Sequence, residues 1–502
     1  MNFNTLSAGA KLCKKLQTYA TGQMVTSGEV PNIAIINAVE LTESKRLLEN
    51  IAAGVRSKGG TSAVHNVSGF GFFNKVNTMT AKYAESFRTS AATAAEAIIR
   101  TNMADGAVII TDCDITAAGL LLGCLRANCP ALVVPLGTNT NFNTEILQLN
   151  GMVTAGKTSA KAAEDILVNT VLPKGIADNL ASGATSFFVA AEVMGFSVPG
   201  ASVNPLNGGA QLRAAFTTGE QIVTNAKDLL SPKKFATKST LSNAAAVIAA
   251  TGGNICGLDC LVKLAAAGDN KVTHGFIAEA AAKTPLLLPS DKQCASYLRE
   301  VGGVAQILRF LSATPKLLDL EVTTAAGERL KNALSNTEAN AELQPVSKTA
   351  RVVLVKGSAC EDGGYVQPSD SAQTSFSGKA WVYASLEDAD KAITSGSIPG
   401  GAVIVVQNCT AMNISALAYT IEGMGNADKY ALVTDGTCDR TAVLTVTCCR
   451  PDSCANEEFA NIQTGDALDI DLTRGRFNTS VNAKDQKARA KKNTTRKAQL
   501  YF

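Results

Sequence analysis

Four places in the sequence combine residue types able to do chemistry. In TDCDITAAG, residues 111–119, Cys113 and Asp114 follow the apolar run GAVII, so a thiol and an acid stand together at a strand end. Thiolate is a soft metal donor and carboxylate a hard one. In TDGTCDRTAV, Thr437, Cys438 and Asp439 offer hydroxyl, thiol and carboxylate in succession. Cys256 and Cys260 stand one helical turn apart, open to a redox pair or half a metal site, although buried helix cysteines beside GGNI suit the spacing better. Cys438, Cys448, Cys449 and Cys454 are numerous enough for structural zinc, but their C-C-x4-C spacing lacks the C-x-x-C knuckle. Only two histidines exist, His65 and His274, each read as a core or surface residue rather than a catalyst. KGGTS at 58–62 and GSACEDGG at 357–364 are turns without the P-loop frame.

The elements that must position these groups follow from the apolar pattern. NIAIINA, AVIITDC and ALVVPLG read as buried strands, and the intervening ESKRLLENIAAGVRSKGG and YAESFRTSAATAAEAIIRTNMADG carry apolar residues at helical spacing. Strand alternating with helix predicts a parallel α/β sheet. From residue 155 the pattern is mostly helical, and 335–350 is a polar linker. Beyond it, short strands such as ARVVLVKG, GAVIVVQN and KYALVTDG, separated by Gly, Asp and Ser turns with one helical insert at LEDADKAITSG, predict a β-barrel. The expected organisation is a large N-terminal α/β domain over 1–345, a β-barrel over 346–482 and a basic tail over 483–502.

Composition narrows the partners. A chain of 502 residues with 46% hydrophobic content can bury sizeable cores, and a net charge of +3 is too small for general nucleic-acid binding. No run reaches the ~20 apolar residues of a membrane span. Thirteen scattered cysteines fit a reducing compartment, so a cytoplasmic location is expected. Lys11, Lys14 and Lys15 make an organellar presequence the lesser expectation, since that stretch has no arginine and is not Ser-rich. The tail NAKDQKARAKKNTTRKAQLY carries seven basic groups and one Asp, a solvated helix first and a contact for an acidic partner second.

Several segments, in order, resemble the dihydroxy-acid dehydratase and 6-phosphogluconate dehydratase family. AGAKLCKKLQTYATGQM is similar to its opening Ala-Gly-Ala-Arg helix, TDCDITAAG to its Asn-Cys-Asp-Lys strand end, and VMGFSVPG to its Pro-Gly turn. NAAAVIAATGGN resembles its Ala-x-Gly-Gly-Ser segment, REVGGV its Arg-Ala-Gly-Gly-Val, LVKGSACEDGGYVQPS its entry to the barrel, ALVTDGTCDRTAV its Thr-Asp-Gly-Arg-Phe-Ser-Gly turn, and TGDALDIDLTRGRFNTSV its closing strand pair. The resemblance implies an α/β domain joined to a C-terminal β-barrel. It also implies dehydration of a sugar acid or dihydroxy acid, with an iron–sulfur cluster on three cysteines and a magnesium ion beside it.

Carried over position by position, those implied groups thin out. The first cluster cysteine falls in NAVELT, where none occurs between Cys13 and Cys113; the second is Cys113; the third falls near Asp178, with none between Cys129 and Cys256. Of the implied magnesium ligands Asp114 remains. The lysine beside it is Ile115, no carboxylate lies between Glu49 and Glu85, and the barrel loop is cut to QNCTAM. The implied serine base is Asp439, flanked by Thr437 and Cys438, and the Gly-Gly-Ser-Thr-Asn stretch reads Gly252-Gly253-Asn254-Ile255-Cys256. Cys113, Asp114, Ile115, Asp178 and Asp439 are therefore read as vestigial positions, Asp114 serving as a helix cap, with no catalytic residue, metal or cofactor.

The resulting expectation is a catalytically inactive relative acting as a structural or regulatory protein. Its expected partners are a second copy of the chain, as the resemblance implies, and a larger cytoskeletal, ribosomal or metabolic assembly. The alternatives are an active hydro-lyase with atypical ligands, or a non-catalytic sugar-acid binder.

Overall fold

The computed structural model describes residues 7–20, 22, 30–71, 79–139, 144–169, 175–178, 180, 183–268, 270–335, 337–409, 412–449 and 457–497. Cys454, one of the cysteines considered for zinc, lies outside them, as do residues 410–411 of the shortened barrel loop.

The apolar runs of the N-terminal half become β1 (Asn32–Asn37), β2 (Thr61–Asn66), β3 (Gly106–Thr111) and β4 (Ala131–Pro135), a parallel sheet in the order β2-β1-β3-β4. Ile35 lies opposite Val108, which lies opposite Leu132. Ile33, Ile35, Val108 and Ile110 face the helices Leu41–Ser57 and Gly209–Lys227. Ala34, Ile36, Ala107 and Ile109 face Ala84–Thr101 and Asp114–Ala127. Burial on both faces explains why β1, β3 and β4 read as continuous apolar runs. Strand β2, at the edge, was missed in the sequence because TSAVHN is only half buried and offers no such run. Lys14, on the opening helix Ala8–Ala20, is buried against Asp105 at the foot of β3, so this lysine belongs to the fold.

Two-residue strands β5 (Thr138–Asn139) and β6 (Ile176–Ala177) lead into an all-helical layer. At its centre lie Gly183–Met194, Lys238–Ala250 and Ile255–Ala267, buried over most of their circumference, and His274–Ala282, which buries one face through His274, Ile277, Ala278 and Ala281.

The C-terminal strands are β7 (Val353–Gly357), β8 (Cys360–Val366), β9 (Ser375–Tyr383), β10 (Ala402–Val406), β11 (Tyr430–Thr434), β12 (Leu444–Val446), β13 (Ala467–Asp471) and β14 (Arg476–Thr479). They form one sheet, β12-β11-β10-β9-β13-β14-β7-β8, parallel from β9 to β12. Tyr365 and Thr447 exchange backbone hydrogen bonds of 2.9 and 2.8 Å, bringing the two outer strands together in a nearly closed barrel. Val403 and Val405 point inward, whereas Ile404 and Val406 lie under the helices Leu386–Thr394 and Ser415–Met424. The second of these helices exceeds the single insert expected; in SALAYTIEGM the polar Ser415 and Thr420 lie on the buried face and the apolar Tyr419 and Met424 on the half-exposed one, which hid the helical period.

Candidate active site

The sheet order places the crossover between β1 and β3, the position at which open α/β sheets hold ligands beyond their strand ends. Asp112, Cys113 and Asp114 leave β3 there. Cys113 precedes the helix Asp114–Ala127 and is packed with Phe70, Ala84 and Ile115; its Sγ lies 3.7 Å from Asp114 Oδ1. Asp114 is the first residue of the helix rather than its cap, which corrects the capping role expected for it. Ile115 is buried in the same apolar cluster, so its position offers no donor. Asp112, not singled out in the sequence, is a carboxyl that burial pushes up to about 6, with Glu43 adding to the rise.

Asp178 stands at the end of β6, and its carboxylate accepts the Ser296 backbone N–H at 2.9 Å and the Ser296 hydroxyl at 2.6 Å. It thus caps the helix Ala295–Glu300 from a distant part of the chain. Cys294 Sγ is 3.1 Å from the same hydroxyl. Sequence order could not link Cys294 to Asp178, because 115 intervening residues separate them.

A second group forms where the helical layer meets the barrel. Asp439 Oδ1 accepts Asn254 Nδ2 at 3.0 Å and Asn413 Nδ2 at 3.2 Å, with Cys256 Sγ 3.9 Å away. The Asp439 backbone N–H donates to Ser415 Oγ at 2.6 Å, and Cys438 Sγ lies 3.8 Å from that hydroxyl. Asn254 is also the N-cap of Ile255–Ala267, accepting from Cys256 N at 2.7 Å. Before it, Gly252 holds φ of +69° and a side chain there would occupy the space of the Gln293 amide. Gln293 in turn accepts from the Arg440 guanidinium. Burial pushes the Tyr419 phenol well above its ordinary range, and charge on Asp439, Cys438, Glu422 and Cys256 adds to this. Burial also raises Glu422, which accepts from Gln148 and from the Ala442 backbone.

Folding thus brings Asp439 to Asn254 and Cys256 from a motif remote in sequence, with Arg440 beside it in its own motif, while Asn413, Ser415 and Tyr419 join from positions with no motif. The helix Ile255–Ala267 links both groups. Cys256 at its start faces Asp439, and burial followed by the charges of Asp114 and Asp259 pushes the Cys260 thiol up to about 12. The three described barrel cysteines of that set do not gather: Cys438 stands beside Ser415, Cys449 is next to Cys360, and Cys448 lies with Asp259 and His274. His65 is on the edge strand, its pKa lowered by burial.

The residues present do not fit the iron–sulfur cluster that the resemblance implies. Cluster iron needs cysteine thiolates. Cys113 stands at the second of the three stations and Cys294 beside the third, whose own residue, Asp178, is a carboxylate already engaged by Ser296. At the remaining station β1 ends in Asn37, whose amide donates to Asn66 Oδ1 at 2.9 Å and to Val39 O. Magnesium fits no better, since Asp114 has the apolar Ile115 for a neighbour where a second oxygen donor would stand.

A model described as dihydroxy-acid/6-phosphogluconate dehydratase N-terminal matches residues 31–333, and its C-terminal counterpart matches 340–501. Among curated proteins, the dihydroxy-acid dehydratase of Pyrococcus abyssi is 28% identical over 491 residues, 92% of this chain and 89% of that protein. That of Ruminiclostridium cellulolyticum is 26% identical, covering 87% of this chain and 83% of its own. That of Desulfitobacterium hafniense is also 26% identical, covering 97% and 92%. Whole-length likeness to proteins named as dehydratases supports an enzyme and overturns the expectation of a catalytically inactive structural or regulatory protein. Missing cluster ligands remove one chemistry; nothing in the fold or the second group of polar residues demonstrates inactivity.

Proposed function

The chain belongs to the dihydroxy-acid/6-phosphogluconate dehydratase family, and from that premise we propose that it is a hydro-lyase acting on a 2,3-dihydroxy acid or sugar acid through its own side chains. The observation that carries this reading is Asp439, a carboxylate oriented by the amides of Asn254 and Asn413 where relatives are thought to use a serine. A serine hydroxyl needs activation to act as a base near neutral pH, whereas a carboxylate is ionised in that range without it.

In the proposed elimination Asp439 takes the proton from the carbon bearing the 2-hydroxyl, and the C3–O bond breaks as that electron pair forms the C2–C3 double bond. The departing hydroxide takes the Tyr419 proton and leaves as water. The enol product tautomerises to a 2-oxo acid, and the Asp439 proton returns to the phenolate through solvent. Burial raises the Tyr419 pKa and so weakens the phenol as an acid, but the phenol is protonated in the neutral range and the departing hydroxide is a strong enough base to take its proton. Arg440 remains cationic although burial lowers its pKa, and it can anchor the substrate carboxylate.

The test is 2-oxo acid formation by the full chain from a 2,3-dihydroxy acid and from aldonic acids, without added iron. Wild type should form product, and Asp439→Asn should lower kcat at least about 10²-fold with KM little changed. No product from either substrate class, or full activity in Asp439→Asn, would overturn the reading.

A further inference from the structure

Away from Asp439, a carboxylate, an imidazole and a thiol converge from three segments. Asp259 lies on Ile255–Ala267, His274 opens His274–Ala282, and Cys448 follows β12 in the barrel. One potential ligand atom from each, oxygen, nitrogen and sulfur, lies within 4.8 Å of the others, and all three residues are buried. Asp259 Oδ1 is 3.1 Å from His274 Nε2, and Lys263 is paired with the second carboxylate oxygen. Two ties to β8 hold the barrel part in place. The Tyr365 hydroxyl donates to the His274 carbonyl, while the Tyr365 backbone pairs with Thr447, next to Cys448.

We infer that Asp259, His274 and Cys448 form a Zn2+ site joining the helical layer to the barrel. Mixed O, N and S donors select zinc or cobalt over magnesium, which wants oxygen alone. Ligand bonds of about 2.0–2.3 Å place neighbouring donors ~3.3–3.8 Å apart in a tetrahedron, so the group needs to close by roughly 1 Å. A water completes the fourth position. Binding releases the Cys448 thiol proton to solvent and moves the His274 Nε2 proton that faces Asp259 to Nδ1, which frees the nitrogen lone pair, and the ion then neutralises the thiolate beside the Asp259 carboxylate.

The experiment is zinc stoichiometry and Co2+ absorption on the full chain, stripped by a chelator and given Zn2+ or Co2+. Wild type should take up about one equivalent of zinc, and the cobalt form should show a thiolate-to-cobalt band in the near ultraviolet. Cys448→Ala and His274→Gln should fall below about a tenth of an equivalent. The double variant Cys13→Ser/Cys294→Ser, which removes the two described cysteines that are not buried, should keep both zinc and band. If the first two variants fail to fold, the wild-type cobalt spectrum together with the double variant still decides. Uptake below a tenth of an equivalent in wild type, a cobalt form without a sulfur band, or loss of zinc in the double variant would reduce the group to an Asp–His–Lys hydrogen-bond network and overturn the inference. Asp439→Asn should retain zinc, which separates this inference from the proposed reaction.

Discussion

At the scale of single residues, position decides what a carboxylate can do. Asp439 is half-buried and oriented by two amides, Asp178 is consumed in capping a helix, and Asp114 is buried with a thiol for a neighbour. Asp112 is different again, because burial raises its pKa from 3.8 to about 6. A carboxyl whose folded pKa is raised favours the fold only while protonated. Its contribution is fully present below pH 3.8 and is lost as pH rises through about 6. Replacing it with Asn should therefore stabilise the protein at pH 7 by up to about 3 kcal/mol and flatten the pH dependence across that window. Urea denaturation at pH 4 and pH 7 measures this; equal midpoint shifts at both would contradict the burial argument.

At the scale of elements, the helix Ile255–Ala267 carries both the base's partner and the thiol–carboxylate run behind it. Asn254 has two duties that substitutions can separate. Asn254→Ala removes the N-cap and should cost about 1 kcal/mol of stability. Asn254→Asp preserves a capping oxygen, so its melting temperature should stay near wild type. It nevertheless sets a second carboxylate against Asp439, raising that pair's apparent pKa and moving the acid limb of kcat/KM to higher pH. A pH–rate profile unchanged in Asn254→Asp would detach Asn254 from the reaction. The glycines before this cap were visible as a motif, and Gly252 shows why: its left-handed backbone lets Gln293 lie against it and meet Arg440. Gln293 itself left no sequence signal.

At the scale of the whole molecule, the two parts are in backbone contact. On Leu149–Thr154, Gly151 meets the Thr420 carbonyl of Ser415–Met424, and Gly423 reciprocally meets that of Gln148. Asn150 and Thr420 add a hydrogen bond of 3.1 Å. Any side chain at 151 must push the barrel helix away, together with Tyr419 on it. Gly151→Val should destabilise the chain by about 3 kcal/mol or more and lower dehydration activity as well. Calorimetry and the 2-oxo acid assay check both; loss of stability without loss of activity would show that the seam does not position the site.

The N-terminal alternation of strand and helix, the C-terminal barrel and the family were legible in the chain itself. Periodicity and turn residues are local properties, and apolar burial on both faces writes itself into runs such as NIAIIN and GAVIIT. Edge strand β2 and the helix Ser415–Met424 were not, since half-burial blurs one pattern and polar residues on the buried face blur the other. Which polar groups meet was decided only by the folded chain. Asp439 with Asn254, Cys294 with Asp178, and Cys448 with Asp259 and His274 are pairings between residues remote in sequence, fixed by how helices pack on the barrel. Side-chain chemistry depends on distance and burial, and neither is a function of position along the chain.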